Sequence, residues 1–390
     1  MKKRISSLLI ILSFTGSIHV KATELSGKSK VSILTVLPGN EIYTIFGHSA
    51  IRINDPANGI DRVYNYGTFD FDTPFFYLKF IKGNLIYQLS VSGYEQEQAQ
   101  WPYEQRTVYE QELNISQKEK QNIFDNLEKT YNSKARYYRY DFFFDNCATR
   151  IRDIIEKSLE GKLIYDTTGY SGKSFRELIH PFIEQHYWLD AGINTALGKE
   201  TDQTADTQEY MFLPEFIMQI YAHARLTENT DTVNFTSSPK MVFEGSIKPD
   251  NKKGYGKYIP WSVFVFLCLL TLYEIFQKKF YKIPDIIILF IYGLTGLVLL
   301  FFWMYSFHEA LHNNSNLVWL FPLNLPAAYI VWKNKWAKLS YYYSIIISVS
   351  IILLLVFQPF ILQKLTIELL PLVLIILISL IRNILHYKLR

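Results

Sequence analysis

The sequence predicts a molecule in two unequal parts: an α+β domain outside the cytoplasm, then an all-α transmembrane bundle of about five helices. Three observations predict it. A charged-then-apolar leader opens the chain, apolar runs crowd together from Ile259 onward, and Lys and Arg gather in alternate loops between those runs.

The leader reads MKKRISSLLIILSFTGSIHVKATELS. Lys2, Lys3 and Arg4 precede a short apolar core, and Val20-Lys21-Ala22 offers small residues at cleavage spacing, so residues 1–22 are expected to be a secretory signal peptide. The core is too short to span a bilayer comfortably. Residues 23–258 then form the exported domain, rich in Tyr, Phe and mixed charges. The net charge of +4 is spread rather than blocked, and no basic stripe marks a nucleic-acid partner.

Within that domain, GHSAIRI alternates Ser49, Ile51 and Ile53 with Ala50 and Arg52, which predicts a strand. NDPANG supplies a turn, and RVYNYGTF returns as the second strand of a hairpin. The aromatic stretch FDFDTPFFYLKFIKGNLIYQ, residues 69–88, reads as core strands, with a lipid-facing or acyl-binding surface as the other reading. After Cys147, the apolar positions Ala148, Ile151, Ile154, Ile155 and Leu159 recur at helical spacing, and Asp145 or Asn146 suits the cap. Asp190, Asp202 and Asp206 match no calcium-loop spacing and read as solvated loop acids.

The transmembrane domain is expected over residues 259–390, with crossings at about 259–276, 286–305, 317–332, 341–362 and 369–387. The third is short and holds Pro322 and Pro326. QKKFYK, WKNKWAK and HYKLR follow the first, third and fifth crossings. Placing these in the cytoplasm leaves residues 23–258 in the periplasm, in agreement with the leader. His308, Glu309 and His312 then lie in an outer loop, where a polar interfacial role outweighs a metal site lacking a third ligand.

The chain has two cysteines. Cys268 sits between Leu267 and Leu269 in the first crossing, as a small apolar residue. An exported Cys147 with no disulfide partner is either a reactive group or a packed core residue, and its place at a helix start favours the first. There the dipole and the unpaired N–H groups favour a thiolate and suit an oxyanion, which makes Asn146 and Cys147 the cap and oxyanion region. His48, at a strand start behind Gly47, is the best base. Asn65 on the return strand is placed to orient it, with Tyr64 and Tyr66 as rivals on the opposite face. His180, His186 and His223 read as structural.

GHSAIRI, VYNYG and DNCATRIRDII in this order resemble the permuted papain-like (NlpC-like) arrangement of lecithin–retinol acyltransferase-like enzymes. That resemblance implies His48 as base, Asn65 as orienting residue and Cys147 as nucleophile; the family often has histidine in the third place. With the LGKETDQTADTQEYMFLPEF segment and the multispanning tail, the chain resembles Lnb-type lipoprotein N-acyltransferases of Bacteroides-like bacteria. The resemblance implies an inner-membrane enzyme without metal or cofactor. Its acyl donor would be a phospholipid, and its acceptor the N-terminal amine of a diacylated lipoprotein. A phospholipase, a cell-wall peptidase or amidase, and a non-catalytic membrane assembly protein are the competing classes.

Overall fold

The computed structural model describes residues 23–228, 231–247 and 255–388. The leader expected at residues 1–22 lies outside the described residues.

The strands of the head are β1 (Lys30–Val36), β2 (His48–Asp55), β3 (Ile60–Thr68), β4 (Ile86–Gly93), β5 (Val108–Glu112) and β6 (Tyr137–Arg139). A smaller sheet comprises β7 (Lys162–Ile164), β8 (Arg225–Glu228) and β9 (Asp231–Asn234), and β10 (Lys240–Phe243) returns to the edge of the larger one. The large sheet is antiparallel in the order β10-β5-β1-β2-β3-β4-β6. Its helices are α1 (Phe76–Lys82), α2 (Tyr94–Glu104), α3 (Gln117–Tyr131), α4 (Cys147–Ser158), α5 (Phe175–Ile183), α6 (Tyr187–Ala196), α7 (Thr207–Tyr210) and α8 (Pro214–His223).

The β2–β3 hairpin turns through a short 3-10 helix, Pro56–Asn58, and closes on Gly59 in the left-handed region. Pairing Ile51 with Tyr64 and Arg52 with Val63 fixes which side chains share a face. Ile51, Ile53, Tyr64 and Tyr66 point into the main core, where Ile151 and Ile155 of α4 meet them. Ala50 and Val63 turn to the other face, against Trp101 and Val108. By period-2 alternation, His48 and Asn65 belong to this second face, while Tyr64 and Tyr66 do not.

Two readings of the sequence change here. Residues 69–88 are not core strands throughout: residues 76–82 form α1, and Phe71, Phe75, Leu78 and Phe80 are exposed. Asp190 and Asp202 are not solvated, at 1 % and 8 % exposure. Asp202 accepts from Nη2 of the buried Arg176 at 2.9 Å, and the same nitrogen reaches the Leu197 and Gly198 carbonyls.

In the C-terminal part, α9 (Tyr258–Gln277), α10 (Ile283–Tyr305), α12 (Ala337–Val356) and α13 (Leu370–Lys388) are long and apolar enough to cross a membrane. The stretch expected as the third crossing differs. It contains a 3-10 turn, Ser315–Val318, an irregular stretch, and then α11 (Asn324–Lys333), only ten residues long. At 1.5 Å per residue, α11 covers about half of the ~30 Å hydrocarbon thickness. Backbone that is not helical survives at membrane depth when it is packed in protein. Two glycines of α10 provide that packing. A Cβ on Gly296 would lie 1.7 Å from the Leu320 carbonyl oxygen, and one on Gly293 would lie 2.5 Å from the Leu325 nitrogen.

The head rests on one end of this bundle. Asn314 Nδ2 donates to the Thr195 and Ala196 carbonyls at 2.8 and 2.9 Å. Gln363 Nε2 reaches the Leu197 carbonyl at 3.1 Å, and the Tyr187 hydroxyl donates to the Glu368 carbonyl at 2.8 Å. Lys278, Lys282, Lys333, Lys338 and Lys388 flank the opposite helix ends.

Candidate active site

Cys147 is the first residue of α4 and is 6 % exposed. Asn146 Oδ1 caps the helix, accepting from the Ala148 and Thr149 N–H groups at 2.8 and 2.9 Å. Its amide nitrogen donates to the Phe142 and Phe212 carbonyls, each at 2.7 Å, and its backbone N–H goes to Thr149 Oγ1. Asn146 therefore orients the turn and has no N–H left for a substrate oxygen. Asp145, the other candidate cap, instead pairs with Arg150. Among the described residues, the backbone N–H of Cys147 itself has no acceptor.

His48 opens β2, and its Nε2 lies 3.0 Å from Asn65 Oδ1. Asn65 Nδ2 donates to Glu97 Oε1 at 2.9 Å, and Ser92 Oγ donates to the same carboxylate oxygen. A carboxylate only accepts, so the Asn65 amide must turn its nitrogen to Glu97 and its oxygen to His48. That arrangement requires a proton on His48 Nε2 and leaves Nδ1 as the ring nitrogen available to the Cys147 sulfur. The sulfur and the imidazole lie near enough for each to shift the other's protonation.

Each group shifts the other. Burial pushes the Cys147 thiol up, but the charge and hydrogen bond of His48, with the Ser49 and Ala148 N–H groups, outweigh it, and the thiol ends below its ordinary value. Burial likewise opposes charge on His48, yet Cys147 and Asn65 outweigh it and raise the imidazole; Arg106 pulls the other way. Both directions favour a thiolate–imidazolium pair.

The wall of the site is aromatic. Gly67 adopts a φ of +89°, and a Cβ there would lie 3.7 Å from the Cys147 Cβ and 3.5 Å from Tyr140 Cε2. Burial, followed by the charge on Cys147, pushes the Tyr140 phenol well up and keeps it protonated. From Tyr140 a row of rings runs outward: Tyr87 at 4.5 Å, then Phe69 at 5.1 Å from Tyr87, then Phe71 and Phe76 at 4.8 and 5.7 Å from Phe69. The row ends at the exposed side of α1. That helix is pinned to the head-side end of α10, where the Phe307 N–H donates to the Lys82 carbonyl at 2.9 Å and Ser306 Oγ to the Ile81 carbonyl at 3.2 Å.

His308 and His312 do not converge on one point. His308 Nε2 lies 3.2 Å from the Phe80 carbonyl, and His312 Nε2 lies 2.9 Å from that of Ser306. Tyr64 bonds Glu128 on the far face of β3, and Tyr66 faces Tyr138 there. Neither stands beside His48. Glu97 and Tyr140 carried no sequence signal: the first is one of several acids in a polar helix, the second one ring among many.

Fold and geometry together define a class: a membrane-anchored protein whose α+β head assembles a cysteine, a histidine and an asparagine at one end of its sheet. Comparison with family models makes this specific. One described as the Lnb N-terminal periplasmic domain matches residues 21–178, and one described as the Lnb transmembrane domain matches residues 258–390. The chain belongs to the Lnb family and is a membrane protein with a periplasmic N-terminal domain. No curated protein and no solved structure matches it.

Proposed function

We propose that the protein is a thiol-dependent lipoprotein N-acyltransferase of the inner membrane, with residues 23–258 as its periplasmic catalytic domain, residues 259–390 as its transmembrane domain and its C-terminus in the cytoplasm. Cys147 is the nucleophile, His48 the acid and base, and Asn65 the residue that holds the imidazole. The observation that carries the reading is the row of rings from Tyr140, beside Cys147, to the exposed aromatic face of α1 at the head of the bundle. A site meant for peptidoglycan needs no apolar approach from the bilayer. The lysines at the far helix ends support the orientation.

The chemistry divides into two halves. The Cys147 thiolate attacks an ester carbonyl of a phospholipid, and the Cys147 backbone N–H stabilises the oxyanion. The C–O bond breaks, the lysophospholipid oxygen takes the proton from His48, and a thioester remains on the sulfur. The free amine of a diacylglyceryl lipoprotein then attacks that thioester. His48 accepts the amine proton, the C–S bond breaks, and the thiolate returns with the amide product. Confinement of both substrates to one leaflet raises their effective concentration at the head.

The test is mass spectrometry of lipoproteins from cells lacking N-acylation that express this chain. A third acyl chain is expected with the native sequence and none with Cys147→Ser. Persistent triacylation by Cys147→Ser removes the nucleophile assignment. Released fatty acid without triacylated product indicates a phospholipase, in which water resolves the same thioester.

A further inference from the structure

A second cluster lies where the head meets the bundle, away from Cys147. His180 on α5, Asp190 on α6 and Glu368, just ahead of α13, each offer a ligand atom, and the three atoms all lie within 4.8 Å of one another. Asp190 and Glu368 border a cavity of about 270 Å³, also lined by Glu184, Gln185, Lys257 and Trp261.

We propose that this cluster is a binding site for a zinc-type divalent cation, held by His180, Asp190 and Glu368, that fastens the periplasmic head to the membrane bundle. Imidazole with two carboxylates is a donor set suited to zinc, and three protein ligands leave the fourth position facing the cavity. Tetrahedral ligands at about 2.0–2.1 Å from an ion stand roughly 3.3 Å apart. His180 Nδ1 and Asp190 Oδ1 are 3.7 Å apart, close to that spacing. The other ring nitrogen, Nε2, faces Glu184 at 3.9 Å, where a small shift would give the carboxylate support that orients a ligating imidazole.

Two observations point to room for a further positive charge. Asp190 is 1 % exposed and accepts from Asn194 Nδ2; Lys257 lines the same cavity, but among the described residues no Lys or Arg lies within ion-pair distance of Asp190 or Glu368. Gln185 Oε1 is buried without a hydrogen-bond partner, ready to accept from a water on the ion's open position. Glu368 is already held near α6 by the Tyr187 hydroxyl, so a cation would close a contact that is half made.

The experiment uses the full chain in detergent, stripped with chelator and titrated with zinc chloride. One zinc per chain is expected, with a rise in the unfolding temperature and a zinc-edge X-ray absorption spectrum showing nitrogen and oxygen ligands. Glu368→Gln and His180→Ala should each weaken binding by at least the roughly 10–100-fold typical of damaged metal sites, and should lose the thermal response. Native protein without stoichiometric zinc overturns the proposal. So does binding that survives both substitutions and disappears in Cys147→Ser, which would place the ion on the thiol.

Discussion

The opposite shifts at Cys147 and His48 carry a pH signature. The thiol is held below its ordinary range and the imidazole above its own, so each group favours the charged form of the other. Alkylation of Cys147 by iodoacetamide should therefore stay fast below the usual thiol range and fall only when the pair takes up a proton at lower pH. His48→Ala removes the charge and hydrogen bond that lower the thiol, so its alkylation profile should move to higher pH. Asn65→Ala should leave the sulfur in place but free the ring to rotate, lowering kcat by about 10²-fold with little change in KM. Glu97→Gln tests the amide orientation, because glutamine can present a donor and permit Asn65 to flip. The cysteine, histidine and asparagine were legible in the sequence because each marks a boundary or interrupts a pattern: a cap, a strand start, a polar residue between tyrosines. Glu97 was not, because its partner is 32 residues away and only folding brings them together.

At the scale of elements, strands with strict alternation were readable, as in the β2–β3 hairpin. Residues 69–88 were not, because aromatic density is the same whether rings fill a core or face lipid. What separates the two is the position of α1 beside α10, a tertiary fact. The third crossing shows the same limit: Pro322 and Pro326 signalled a broken helix, but not the groove that accepts it. That groove gives a direct test. Gly296→Ala places a methyl group on the Leu320 carbonyl, so α10 and the irregular stretch must separate. The expected loss is about 1–3 kcal/mol or more, read as a lower unfolding temperature in detergent, whereas an alanine at the exposed Leu294 should have little effect.

For the whole molecule, the far end of the bundle is locked by one guanidinium. Arg382 on α13, 1 % exposed, reaches Glu274 of α9 at 2.7 Å and Asp285 of α10 at 3.0 Å. Arg382→Met strands two buried acids and should cost about 3–5 kcal/mol; adding Glu274→Gln and Asp285→Asn should restore much of it, as unfolding in detergent would register. The opposite end is hydrogen-bonded to the head through Asn314 and Gln363. The shortness of α11 bears on how such a chain is made. A ten-residue helix offers the translocon too little apolar length to be released into lipid alone. Because α10 precedes the segment in the chain, its glycine groove is already made when the segment follows, and the two are expected to partition as a hairpin.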